Sequence, residues 1–159
     1  MQFKEKGGRF MEQIDEVLDP RLIKLNLNAS SKRDAITQLS ETLKDADYIN
    51  DVPSFVKDIY LREKEGITGI GDGIAIPHGK SDYVTKVGVA IGVFNKPIEW
   101  ETLDDEGVTV VILFAVSNDT ESARNQLKLV AVELGHHIFD PCSKFIANLI
   151  GLTLEFSQN

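Results

Sequence analysis

The sequence predicts an α/β fold: a single domain built as a three-layer α/β/α sandwich around a mixed sheet. Three observations lead there. Residues 87–94 and 108–116 are nearly continuous apolar runs, as strands buried on both faces must be. Helical patterns occur on both sides of these runs in the chain, so each face of the sheet has cover. The link between the two runs is short and hairpin-like, which makes those strands antiparallel and the sheet mixed. The length of 159 residues suits one domain with a sizeable core, and 42% apolar with 26% charged residues is an ordinary globular balance.

Residues 1–10 are polar, contain Gly7 and Gly8, and read as a flexible tail ahead of a domain over 11–159. Residues 11–18 suit a short helix. Ile23, Leu25 and Leu27 alternate with Lys24 and Asn26, the pattern of a half-buried strand. Ser31 and Asp34 resemble a capping box, and Ile36, Leu39, Leu43 and Ala46 follow at helical spacing. Asp51 and Pro53 open a second helix, whose Val52, Phe55, Val56, Ile59 and Tyr60 share one face. Gly66 is its expected stop.

Residues 66–79 hold five glycines and a short apolar run at 74–76. After the first long strand, Asn95, Lys96 and Pro97 predict a turn, residues 98–100 a brief strand, and residues 103–107 a loop back. Leu127, Val130, Leu134 and Ile138 stripe a long helix from near Thr120. Pro141 ends it, and Ser143 caps a last helix through Ile150.

Composition excludes several functions. A net charge of −8 opposes nucleic-acid binding, whose surfaces must be positive. No apolar run is long enough to cross a membrane, so no direct membrane insertion is expected. The first residues lack the apolar core of a signal peptide. The single cysteine, Cys142, cannot form an internal disulfide or a thiolate metal cluster, which points to a cytoplasmic location.

The glycine segment approaches two nucleotide motifs and satisfies neither. A P-loop ending at Gly79-Lys80-Ser81 needs glycine where Ile74 stands. A dinucleotide fingerprint from Gly69 fails at the same residue and follows a helix, not a strand. What remains is His78, between Pro77 and Gly79. Proline fixes the entry backbone, and glycine permits close approach by another surface. An isolated loop histidine more often has no role, and the flanking residues shift that balance toward function. His136 and His137 read as packing or surface positions. Three histidines without matching carboxylates predict no metal site, and no Gly-x-Ser-x-Gly elbow exists for hydrolysis.

The run from Leu61 to Lys80, Leu-Arg-Glu-Lys-Glu-Gly-Ile-Thr-Gly-Ile-Gly-Asp-Gly-Ile-Ala-Ile-Pro-His-Gly-Lys, resembles the active-site signature of fructose/mannitol-type IIA domains (EIIA type 2) of the sugar phosphotransferase system. The likeness extends more loosely over about residues 14–150, and Trp100 followed by Leu103-Asp104 is most similar to fructose-type members. It implies that His78 is the phosphorylated nucleophile and that Arg62 stabilises the phosphoryl group. Where the family often has a second histidine, this chain has Gln126, which can donate a hydrogen bond to phosphoryl oxygens but does not titrate. The resemblance further implies HPr as donor, a IIB component as acceptor, membrane association only through the IIC transporter, and no cofactor. A regulatory, nitrogen-type IIA and a non-catalytic anion-binding domain of the same fold are the alternatives.

Such chemistry is physically coherent. A neutral imidazole is a competent nucleophile at cellular pH. Phosphoryl transfer needs in-line placement and neutralised equatorial oxygens, which an arginine fork can supply. The glycine segment is expected to add backbone N–H groups as an anion nest. Lys80 reads as a solvated charge, and Glu63 or Glu65 as a possible salt-bridge partner that would give Arg62 a purely structural role.

Overall fold

The structure, a computed structural model, describes residues 19–118. The tail at 1–10, the short helix at 11–18, the helices expected after Thr120 and Ser143, and Gln126, His136, His137 and Cys142 lie outside the described residues.

A 3-10 turn, Pro20–Leu22, leads into β1, Ile23–Leu27. Two helices follow, α1 (Lys32–Asp45) and α2 (Val52–Glu63), then β2 (Gly69–Gly71), β3 (Ile74–Ala75), β4 (His78–Ser81), β5 (Gly88–Ile98) and β6 (Val108–Ser117). Both helices begin on caps legible in the sequence. The Ser31 hydroxyl accepts from Asp34 N at 3.1 Å, while the Asp34 carboxylate reaches back to Ser30 N at 2.9 Å. Asp51 accepts from Ser54 N at 3.3 Å, with Pro53 in the first turn. Each cap satisfies amides that the helix itself leaves open.

The six strands form one mixed sheet in the order β1-β5-β6-β3-β2, with β4 also on β6. β5 and β6 are antiparallel, as their short link required, whereas β1 pairs β5 in parallel and both β3 and β4 pair β6 in parallel. Alternation along β6 divides the core by face. Val111, Leu113 and Ala115 join Ile36, Leu39, Leu43, Phe55 and Ile59 of the helices. Val110, Ile112, Phe114 and Val116 join Ile23, Ile74, Val89 and Ile91 in a second cluster. Both α1 and α2 therefore serve one face, and the helices expected for the other face belong to the stretch outside the described residues.

Three local expectations change. Residues 95–97 do not turn the chain: they lie within β5, where the register shifts between Val93 and Ile98. A bulge lets a ladder tolerate Pro97, which has no N–H to give it. The brief strand expected at 98–100 is accordingly only the end of β5 at Ile98. α2 ends at Glu63 rather than at Gly66, with Lys64 as its cap in right-handed geometry. Finally, the glycine segment contains a β-hairpin. β2 and β3 are joined by Asp72 (φ 56°) and Gly73 (φ 77°). Two consecutive positive φ values make the primed turn that an Asp-Gly pair favours.

Gly79 packs directly beneath α2. A Cβ there would sit 2.5 Å from Phe55 Cε2 and 2.9 Å from Ile59 Cγ1. The surface that needs this glycine is thus the protein's own helix, not the external one anticipated for it. Gly79→Ala should overpack the interface by about 1–3 kcal/mol. The urea midpoint should fall with an unchanged m-value, and a midpoint equal to wild type would contradict this packing.

Candidate active site

His78 is the first residue of β4 and lies opposite Phe114 of β6. It is half-buried, so it is a strand residue on a fixed backbone rather than a loop histidine. Phe114 N donates to Pro77 O at 3.1 Å, which anchors the chain immediately before it. The imidazole Nδ1 faces Ile76 O at 3.2 Å. A carbonyl only accepts, so this contact assigns the proton to Nδ1 and leaves the lone pair on Nε2.

Burial holds the His78 pKa below the ordinary imidazole value, because it disfavours the cation. The Ile76 hydrogen bond opposes that shift, Arg62 adds to it, and Glu63 and Glu65 oppose it. The net direction is downward, so the ring is neutral and nucleophilic at neutral pH. A folded-state pKa below the unfolded one gives a contribution fully present above about pH 6.5 and lost as pH falls toward the folded value. In a titration followed by ring-proton NMR, His78 should titrate below about 6.5. A midpoint at or above that value would remove burial as the controlling effect.

Arg62 occupies the last turn of α2, and α2 packs against β4 through Gly79. Its Nε lies 3.6 Å from Glu65 Oε2 in an (i,i+3) pair with a largely exposed carboxylate, an interaction of little energetic weight. Among the described residues, Arg62 Nη1 is buried without a hydrogen-bond partner. A buried donor left unsatisfied costs about 1–3 kcal/mol, so this nitrogen calls for an acceptor from beyond the described residues or from a bound anion. Glu63, the other partner considered for Arg62, is engaged elsewhere: it binds Lys32 Nζ at 2.7 Å and Thr68 Oγ1 at 2.7 Å.

Lys80 is exposed, as expected of a solvated charge. The anion nest expected in the glycine segment does not form around His78. The Asp72 N–H is donated to Asp104 Oδ2 at 2.9 Å, and Gly71 also faces that carboxylate. The hairpin turn precedes Ile74, which pairs with Val110, whereas His78 pairs with Phe114. Four residues of strand separate these positions, about 13 Å at roughly 3.3 Å per residue. Asp104 also accepts from Glu106 N and Thr102 Oγ1, and these bonds, that from Asp72 first, hold its pKa below the usual carboxylate value. It organises the β5–β6 connection.

The half-buried imidazole, tied at Nδ1, and the Arg62 guanidinium close enough to lower its pKa together make the candidate site. The chain belongs to the family described as "Phosphoenolpyruvate-dependent sugar phosphotransferase system, EIIA 2", which it matches over residues 16–132. It is 34% identical over 113 residues to the fructose-specific EIIABC component of Bacillus subtilis, covering 71% of this chain and 17% of that protein. It is 35% identical over 126 residues to the nitrogen regulatory protein of Escherichia coli, covering 77% and 76%. Among solved structures it resembles the complex of enzyme IIAMTL and phosphorylated enzyme IIBMTL from Escherichia coli. That likeness has a TM-score of 0.62 and 28% identity, and covers 77% of this chain and 82% of that one. The chain spans less than a fifth of the multicomponent relatives it matches. No helix among the described residues is long and apolar enough to cross a membrane.

Proposed function

We propose that this chain is a phosphoryl carrier that accepts the group on Nε2 of His78 and passes it to a IIB component. The observation that carries the reading is the paired geometry: Nδ1 engaged by Ile76 O, and Arg62 Nη1 buried without a partner among the described residues. The neutral Nε2 attacks phosphorus of a phosphohistidine donor, here HPr. The donor P–N bond breaks and its electron pair returns to the donor imidazole as the new Nε2–P bond forms. The Arg62 fork offsets charge on the equatorial oxygens, where phosphoryl-transfer catalysis chiefly acts. The transfer needs neither metal nor cofactor from this chain, since both ends of it are imidazoles.

Family membership and the fructose-specific relative support delivery to a sugar-specific IIB, whose IIC transporter would supply the only membrane association. The similarity to the nitrogen regulatory protein supports a second reading, in which phosphorylation state is itself the output. Gln126 is proposed as a hydrogen-bond donor to the phosphoryl oxygens in either case. The deciding experiment charges the protein with phospho-HPr and then adds purified fructose-type IIB. Passage of label to IIB is the expected result. Label retained on this chain while a matched IIA discharges would favour the regulatory reading, and no uptake of label would remove both.

A further inference from the structure

The end of α2 and the start of β2 are joined by residues 64–67, all exposed. At either end of that stretch sits a tied-down polar side chain, Glu63 and Thr68. The Glu63 side chain is only 7% exposed, and that of its partner Lys32 only 18%. Thr68 is buried and works at three points. Its hydroxyl donates to Glu63 Oε1 at 2.7 Å and accepts from Trp100 Nε1 at 3.4 Å, and its carbonyl accepts from Ile76 N at 2.9 Å. Ile76 O in turn holds His78 Nδ1. A continuous path therefore runs from the residue beside Arg62 to the imidazole itself.

We propose that Glu63 and Thr68 are positioning residues that lock the arginine-bearing end of α2 to the strand carrying His78. The claim rests on the phosphoryl-carrier reading of that site and adds the structure that sets its register.

Lys32 bears this out. It stands in the first residue of α1, where a cation opposes the helix dipole, so its position does not serve α1. Its ammonium instead pairs with Glu63 and lies 5.0 Å above the Trp100 ring and 5.9 Å from that of Tyr60. A buried ion pair is weak evidence for stability, since apolar replacements of similar volume often do as well. What it does supply is a fixed, directional arrangement once every member is satisfied. Here Glu63 has one oxygen on Lys32 and the other on Thr68.

Thr68→Val tests the lock without changing charge or much volume. It removes the hydroxyl shared by Glu63 and Trp100. Two readouts on the purified full chain are required: the His78 tautomer, from long-range nitrogen–proton NMR, and the rate of phosphoryl uptake from phospho-HPr. Wild type should hold the Nδ1–H tautomer. Thr68→Val should mix the tautomers and slow uptake by between about tenfold and about a hundredfold, the scale of a roughly 1 Å misplacement. Thr68→Ser should restore both. A folded Thr68→Val protein with the wild-type tautomer and rate overturns the proposal, whatever its melting temperature. If that variant does not fold, Glu63→Gln is read in the same two ways, and the same wild-type values overturn it. A wild type that takes up no phosphoryl group sinks the carrier reading, whereas the tautomer comparison still decides the lock.

Discussion

His78→Gln should abolish acid-labile, alkali-stable phosphorylation by phospho-HPr, leaving label at background. Glutamine keeps polarity and approximate size, but its nitrogen lone pair is delocalised into the amide carbonyl and does not attack phosphorus. The fold should survive. The backbone at this point is fixed by the Phe114 N to Pro77 O bond and by the β4–β6 ladder, neither of which uses the ring. Among the described residues the ring's one hydrogen bond is to Ile76 O, a neutral bond worth about 0.5–1.5 kcal/mol, so melting should fall by only a few degrees, about 2–4 °C per kcal/mol. Label that persists on His78→Gln and disappears from His136→Ala would move the assignment to the other end of the chain.

The second large effect is at Arg62. Arg62→Ala removes charge-assisted hydrogen bonds of about 1.5–3 kcal/mol each, so transfer should slow by roughly one to two orders of magnitude. The same substitution should raise the His78 pKa, because Arg62 is one of the causes that lower it. Stability should change little, since among the described residues the only ion pair lost is the exposed one with Glu65. A variant that melts early yet transfers at the wild-type rate once folded, with the His78 titration unmoved, would make Arg62 structural. A slower rate and a raised pKa at an unchanged melting temperature would place the effect in the Arg62 charge, because a loss of packing that exposed His78 would also raise its pKa but would lower stability with it.

The two helices and the long strands were legible because their signals are local. Ser31 and Asp51 cap the helices they precede, apolar residues recur at helical spacing, and β6 is apolar on both faces. The link from the first long strand to the second predicted an antiparallel pair, and β5–β6 is one. Asp72-Gly73 was also a local signal, the sort that marks a two-residue hairpin, but Gly69 and Gly71 on its flank gave no strand pattern to attach it to. At residues 95–97 the turn signal competed with the ladder, and pairing with β6 absorbed it as a bulge.

By itself the sequence determined the α/β class, the mixed sheet, the family resemblance and the naming of His78 and Arg62 as a pair to examine. These depend on periodicity, caps and an ordered motif, all encoded within a few residues of one another. Only the tertiary structure decided what those residues do to each other. Packing of α2 on Gly79 brings Arg62 toward His78. The Ile76 carbonyl fixes the imidazole proton on Nδ1 and so leaves the lone pair on Nε2. Glu63 turns from its neighbour Arg62 to Lys32, 31 residues away, and Trp100 reaches Thr68 across 32. The physical reason is range: hydrogen bonds and ion pairs act over a few ångströms of space, and the separations they bridge along the chain leave no periodic trace in it.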